Sequence, residues 1–365
     1  MKKFFQKLKQ NEKFICISSI MKKSLILVFA IVFISWTKCS PLPEPKAPQS
    51  IRIMSFNVEN MFDGTEQGSE YPKFNPKNGN WTEKDYMGKL LQISRVTIDA
   101  APDGPDIVGF QEIENKGILT ELTKGYLKDY GYKYTVISEN PNSAIQSAFI
   151  SKYPYNYIKY HIPQADSGRD LRQIVEVSFD IHGHELIILN NHWKSKVGKN
   201  TEPKRLCAAD VVNARIRTIM EENPKAEILL LGDFNESADE YVREGKGAVR
   251  AIMPADVNLP SRFQYLRVTG DDQNSNPKLL FSPWLWDKNQ EQGSYVYRGR
   301  WQTIDNFFLG SNLTDNKGFY FAGFQTVKTQ WNTSKKNHPR PYDKASGEGC
   351  SDHFPILLEL NLEKN

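Results

Sequence analysis

Leu229-Leu-Leu-Gly-Asp-Phe-Asn235 decides the reading of this chain. The apolar run from Ile228 to Leu231 is too short for a helix and suits a strand buried on both faces. It ends in a glycine, an acid and an amide. Near the C-terminus, Ser351-Asp352-His353 sets an acid beside an imidazole just ahead of a second apolar strand, Phe354 to Leu360. Four other strand-like runs end in polar groups that a core would not choose. Ser55-Phe56-Asn57 closes the first, Gln111-Glu112 the second and Asn190-Asn191-His192 the third, while Asp305 follows Ile304. Strand ends are where loops on a rigid scaffold present function.

The rest of the chain alternates strands and helices. Ile51 to Val58 reads as the first strand, and a polar loop follows from Asp63 to Asn80. Thr82 and Asp85 form a capping-box pattern, with Tyr86, Leu90 and Ile93 at helical spacing behind it. Strands are expected over Asp106–Gln111, Tyr132–Ile137 and Ser147–Ile150, with a helical stretch from Ile118 to Leu127. Gln173 to Ile181 alternates apolar and polar residues, turns at His182-Gly183-His184 and returns over Leu186–Leu189 as a hairpin. Pro203 to Met220 reads as an amphipathic helix. Strands resume near Tyr295 and over Ile304–Leu309, and the stretch from Glu236 to Asp287 is the least legible. Such a mixed pattern, with no internal repeat, indicates one α/β domain over about residues 49–365.

The N-terminus is of another kind. Met21-Lys22-Lys23 precedes an apolar run from Leu25 to Trp36, the pattern of a secretory signal, so residues 1–39 read as a leader with Met21 as a candidate start. A retained membrane anchor is the alternative, for which the run is short. Cys39 resembles the lipidated cysteine of a bacterial lipoprotein, although Lys38 stands where that signal favours a small residue. Residues 40–48 are proline-rich and suit an extended tether. The expected location is outside the cytoplasm, either at the cell envelope through Cys39 or secreted.

Charge follows the leader. Residues 1–39 hold eight lysines and one glutamate, or +7, so the remainder carries −3 of the whole-chain +4. No global basic field for nucleic acid exists, and a polyanion site must be a local patch. Of four cysteines, only Cys207 and Cys350 lie beyond the leader, and two separate buried thiols are expected there. A zinc-type cysteine cluster is excluded.

Each strand-end residue has a bland reading alone: Asn57 as a turn residue, Glu112 as a solvated acid, His192 as a core histidine, Asp233 as a helix cap, Asp305 and Asp352 as turn acids. Together they form one coherent set. Hydrolysis of a phosphate ester needs an activated water, neutralised non-bridging oxygens and a stabilised leaving oxygen. Mg²⁺ takes one or two carboxylates plus water and phosphate oxygens, which suits Glu112 and Asn57. An acid beside an amide, Asp233 and Asn235, suits the handling of a water nucleophile. A histidine held by an acid has a fixed tautomer and can donate to phosphate, which suits His353 with Asp305 and makes His192 a second donor.

In this order the motifs resemble the endonuclease/exonuclease/phosphatase superfamily, which includes deoxyribonuclease-I-like nucleases, abasic-site endonucleases, sphingomyelinases and inositol-phosphate phosphatases. The resemblance runs through SFNVEN at Ser55, FQEIEN at Phe110, NNHWKSK at Asn190, LLGDFN at Leu230, TIDNFFL at Thr303 and SDHFPI at Ser351. It implies an α/β four-layer sandwich, two mixed β-sheets face to face with helices outside, and a site at one edge. It implies metal-binding positions at Asn57 and Glu112, with Asp352 near the metal. His192 corresponds to a phosphate-contacting or proton-donating histidine, Asp233 and Asn235 to the pair that handles the nucleophile, and Asp305 and His353 to the acid–histidine pair. Arg172 corresponds to a phosphate-contacting arginine, with Arg169 as a near competitor.

The substrate is read more coarsely. NHWKSK is most similar to secreted bacterial nucleases and offers Lys194 and Lys196 to phosphates. The loop from Gln330 to Glu348 interleaves Lys335, Lys336, His338, Arg340 and Lys344 with Trp331 and Tyr342, as for backbone contact with stacking, or as an ordinary solvated loop. The leading expectation is an exported nuclease of low sequence specificity, using Mg²⁺ (Mn²⁺ or Ca²⁺ as alternatives), with nucleic acid as substrate and DNA ahead of RNA. The alternative is a phosphatase or phosphodiesterase on a lipid or inositol phosphate. A sphingomyelinase-like member would expose an aromatic hairpin, for which Phe281-Ser-Pro-Trp-Leu-Trp286 is the candidate, with core as its other reading. A binding module that had lost the chemistry would show a replaced motif residue, and none is replaced. Nothing points to a protein partner.

Overall fold

Ile228–Asp233 is the strand β8, and its neighbours explain its unbroken apolar run. Leu229 and Leu231 point into an apolar layer between two sheets, while Ile228 and Leu230 point to the opposite face, against a helix. Both faces are buried, so alternation is lost. This computed structural model describes residues 50–363 apart from 166, 169 and 246. The expected leader, the tether and Cys39 therefore lie outside the described residues, as does Arg169.

The first sheet has the order β15-β16-β1-β2-β4-β3. Its strands are Phe319–Thr326 (β15), Ile356–Leu362 (β16), Ser50–Met61 (β1), Ile107–Ile113 (β2), Gln146–Ser151 (β4) and Tyr134–Ile137 (β3). The second has the order β5-β6-β7-β8-β14-β11-β10-β9. It contains Tyr155–His161 (β5), Ile174–Ile181 (β6), His184–His192 (β7), β8, Asp305–Leu309 (β14), Leu280–Phe281 (β11), Leu266–Thr269 (β10) and Ile252–Pro254 (β9). Both sheets mix parallel and antiparallel neighbours, as in the parallel β1–β2 and β7–β8 pairs. A separate hairpin joins Tyr295–Tyr297 (β12) to Arg300–Gln302 (β13).

Helices cover the outer faces. Glu83–Asp99 (α1) begins at the expected capping box, in which Thr82 and Asp85 satisfy each other's backbone N–H. It packs Leu90, Ile93 and Val96 against Phe56 and Phe110 of the first sheet, together with Lys116–Glu121 (α2). Glu202–Glu222 (α3) packs Val212 and Ile219 against Leu230 and Phe308 of the second. The layers thus run helix, sheet, sheet, helix, the four-layer α/β sandwich expected. Among the described residues no helix is long and apolar enough to cross a membrane. Cys207 and Cys350 are buried, unbridged thiols.

Between the sheets the packing changes along the strands. Phe149, Leu231 and Phe307 form an apolar layer. Next comes a buried polar layer of Ser55, Gln111 and Asn190. Gln111 Nε2 donates to Asn190 Oδ1 at 2.8 Å, and Asn190 Nδ2 donates to the carbonyls of Phe110 and Ala148 at 3.0 and 2.9 Å. Unpaired, these amides would each cost about 1–3 kcal/mol; paired, they pin the two sheets in one register at the end where the strand-end motifs gather.

Two aromatic stretches prove internal. Phe281 and Trp284 are buried, and Trp286 packs edge-on against Phe321, so the stretch considered for membrane docking is core. In the Gln330–Glu348 loop, Trp331 stacks under Arg95 and bonds Asp99, Tyr342 packs on Trp81, and Arg340 pairs with Glu348. Both rings are partly buried against the protein itself.

Candidate active site

Three adjacent strands set the first row. His192 lies opposite Asp233 in the parallel β7–β8 pair, and Asp305 lies opposite Asp233 in the antiparallel β8–β14 pair. All three share the parity of Ile188, Leu231 and Phe307, so their side chains enter the space between the sheets. Asn57 reaches the same space from β1 by the same rule. Glu112 has the wrong parity, since Gln111 before it already points inward. A bulge corrects this: the β2 register shifts between Gln111 and Ile113, and Glu112 adopts φ +70°. Gly232 is compulsory, because at φ +134° a Cβ there would lie 1.9 Å from the Asn191 carbonyl oxygen.

The polar ends meet. Asn57 Nδ2 donates to Asp233 Oδ2 at 3.0 Å and lies 3.4 Å from Glu112 Oε1. His192 Nε2 stands 3.5 Å from Glu112 Oε1 and 3.8 Å from Asp233 Oδ2. Asn235 donates its backbone N–H to Asp233 Oδ1 at 2.8 Å, and its Nδ2 stands 3.2 Å from Asp233 Oδ2. His353 Nδ1 lies 2.8 Å from Asp305 Oδ2, which also accepts from Ser294 Oγ at 2.5 Å. Asp352 stands on the rim, its Oδ1 3.7 Å from His353 Nε2.

The two histidines differ electrically. Burial alone would lower the pKa of His353, but the Asp305 and Asp352 carboxylates outweigh it and hold the ring well above its ordinary range. The two carboxylates therefore favour the imidazolium form of His353. For His192, burial is joined by the positive charges of Arg172, His353 and Lys194, and its pKa falls well below normal. His192 is neutral. Burial and the nearby Asp305 charge push Asp233 up to about 7. A base titrating near neutrality is well placed to accept a proton.

One cleft of about 1010 Å³ is lined by Asn57, Glu112, His192, Asp233, Asn235, Asp352, His353, Arg172 and Lys196, and Asp305 is buried behind His353. Lys194 lines an adjoining cavity of about 550 Å³, which shares Arg172 and His192 with the cleft. Arg172 is fixed by a 2.8 Å bond from its guanidinium to the Trp193 carbonyl. Lys196 is turned to the buried carboxylate of Glu240, 2.5 Å away. Glu59 and Tyr295 also line the cleft, though neither was expected at the site from the sequence. Glu59 takes φ +52° beside the bulge, and the Tyr295 ring lies 4.7 Å from that of His353. The NVEN motif was a signal for Glu59; for Tyr295 no spacing rule applied.

The donor set fits a hard divalent cation. Carboxylates and an amide oxygen are what Mg²⁺ selects. Glu59 Oε2 is buried with no hydrogen-bond partner, an acceptor left over by the protein's own network. Ligand atoms of Asp233, Asp305 and His353 also lie within 4.8 Å of one another. His353 Nδ1 is already spent on Asp305, and Glu112 and Asp352 add further carboxylate oxygens to the same cleft.

Comparison with known proteins places the chain in a family and a fold. A sequence model of the Endonuclease/Exonuclease/phosphatase family matches residues 52–362. No curated protein matches the chain. An endonuclease/exonuclease/phosphatase family protein from Bacteroides thetaiotaomicron is similar in structure, with TM-score 0.51 and 15% identity over 87% of this chain and 100% of that one. The human Nocturnin catalytic domain with bound sulfate aligns with TM-score 0.50 and 14% identity over 86% and 95%. A mannosyl-6-phosphatase from Bacteroides thetaiotaomicron VPI-5482 aligns with TM-score 0.50 and 16% identity over 85% and 99%. At such identities the likeness is one of fold. The match along nearly the whole described length shows that the chain belongs to the Endonuclease/Exonuclease/phosphatase family, whose members hydrolyse phosphoester bonds.

Proposed function

We propose that this protein is an exported, Mg²⁺-dependent nuclease that cuts nucleic-acid phosphodiester bonds with little sequence specificity, DNA ahead of RNA. One observation carries the reading: the cleft at the acid–histidine cluster continues past Arg172 and His192 into a second cavity. Two cavities side by side suit an extended chain, where a small ester would be served by a single closed pocket. Arg172, Lys194 and Lys204 give the adjoining cavity a cationic lining suited to phosphates.

Asn57, Glu112 and Asp352 would hold Mg²⁺, which when bound acts as a Lewis acid on the phosphate. Asp233 accepts the proton of the attacking water, and Asn235 fixes both that carboxylate and the water. Neutral His192 offers a hydrogen bond to a non-bridging oxygen. Imidazolium His353, its Nδ1 held by Asp305, presents Nε2–H to the developing negative charge. Export rests on the leader, and mass spectrometry of the mature N-terminus distinguishes an anchor at Cys39 from secretion. The activity test is plasmid DNA with Mg²⁺: degradation that EDTA stops is expected. Intact plasmid beside phosphate release from an inositol phosphate or lipid would favour the phosphatase reading instead.

A further inference from the structure

The hairpin of β12 and β13 projects into the cleft from the side of His353. Its cross-strand pairs are Tyr295–Gln302, Val296–Trp301 and Tyr297–Arg300. Because faces alternate, the first and third pairs line the cleft, while Trp301 turns away to pack on Phe354 and His338. The turn is Arg298-Gly299, both at positive φ, which matches the tight two-residue hairpin class. Its base is rigid: Phe354 N–H donates to the Ser294 carbonyl at 2.7 Å, and Ser294 Oγ bonds Asp305. Its tip is open. Tyr297 is 48% exposed, with the Arg298 guanidinium 5.2 Å from its ring centre. Among the described residues neither Arg298 nor Arg300 pairs with a carboxylate. Val197, 80% exposed, lines the same cleft.

We infer that this hairpin is a clamp for a single nucleic-acid strand, with a base stacked on Tyr297 and flanking phosphates on Arg298 and Arg300. An exposed aromatic ring bracketed by unneutralised guanidinium groups is the chemistry that holds a strand without reading its sequence. A lone core aromatic would be covered, and a solvated charge would have no reason to share a rigid face with two tyrosines. The rigid base places that face at a fixed offset from His353, so it sets which strand enters the site. The inference rests on the nuclease reading and deepens it.

The test compares a single-stranded oligonucleotide with bis(4-nitrophenyl) phosphate, a diester with no nucleobase and no flanking phosphates, using the full chain with Mg²⁺. Tyr297→Ala is expected to lower the preference for the oligonucleotide, as a ratio of kcat/KM values, by about 5- to 150-fold, the range of one base–aromatic stack. Tyr297→Phe should restore it. In EDTA, oligonucleotide affinity followed by fluorescence anisotropy should lose about 1.4 from the slope of log Kd against log salt in an R298A/R300A variant, two contacts at about 0.7 each. Equal loss on both substrates, or an unchanged salt slope, would overturn the clamp while leaving the nuclease reading intact. A wild-type protein that hydrolyses the small diester and leaves every oligonucleotide whole would overturn both.

Discussion

Replacing Asp305 with Asn should disable the site by discharging one histidine. The carboxylate of Asp305 sits 2.8 Å from His353 Nδ1 and is the largest influence raising that ring's pKa against its burial. Asn keeps the shape and an acceptor oxygen but loses the charge. Burial then prevails, the pKa of His353 falls, and the ring becomes neutral at a lower pH than before. A positioned proton donor contributes about 10²- to 10⁴-fold to rate, so kcat should fall by that order near neutrality. Stability should change less. A charge-assisted bond is worth about 1.5–3 kcal/mol, or about 2–5 °C in Tm for a domain of this size. The lost repulsion between Asp305 and Asp233 offsets part of it, which places the shift at the lower end. The assay is kcat from pH 5 to 9 on bis(4-nitrophenyl) phosphate with Mg²⁺, beside an NMR titration of His353. The variant should recover part of its rate as pH falls. Activity within threefold of wild type, with His353 still charged at neutral pH, would refute the reasoning.

Three further outcomes follow from the same structure. Asp233→Asn should remove most turnover with unchanged circular dichroism, because it deletes the proton acceptor and keeps its size; near-normal rates would reject the assigned role. Gly232→Ala should cost stability well beyond the ~1–3 kcal/mol of an unfavourable backbone conformation, because its Cβ would also meet the Asn191 carbonyl at 1.9 Å; a Tm equal to wild type would contradict the β7–β8 packing. Glu227, raised by burial from 4.5 to about 8, accepts the Phe319 N–H at 2.7 Å. Its folded pKa exceeds its unfolded one, so its stabilising contribution is complete below pH 4.5 and is lost as pH rises through 8. Glu227→Gln should therefore match wild type at pH 4.5 and gain Tm over it towards pH 8, and a gap that does not widen with pH would refute the burial argument.

The sandwich was legible wherever one physical signal dominated. The buried runs at Ile228 and Phe354, the alternation from Gln173 and the Thr82 capping box each named their elements. Tyr155–His161 escaped because it is an edge strand, half exposed along its length, with no face pattern to read. Phe319–Thr326 escaped because a register shift between Phe321 and Gly323 breaks its period. In the stretch from Glu236 to Asp287 the strands span only two to four residues, too few for periodicity. At the site, His192, Asp233, Asp305 and Asn57 converge because they share strand parity with the core, which a sequence displays. Glu112 arrives through a bulge, Glu59 through a left-handed turn, and Tyr295 through a hairpin that crosses back over His353; none of these follows from spacing. Lys196 was read from its charge alone, and its pairing with Glu240 depends on a chain segment far away in sequence.

The central claim is that strand ends distant in sequence grip one divalent cation beside one phosphate group. Titration of the full-length protein with Mn²⁺ in the presence of inorganic phosphate, followed by ³¹P relaxation, measures that directly. Strong paramagnetic relaxation of bound phosphate is predicted for the wild type and its loss for Glu112→Gln. Phosphate relaxation no faster than that of free Mn²⁺ and phosphate, or one that Glu112→Gln leaves untouched, would contradict it.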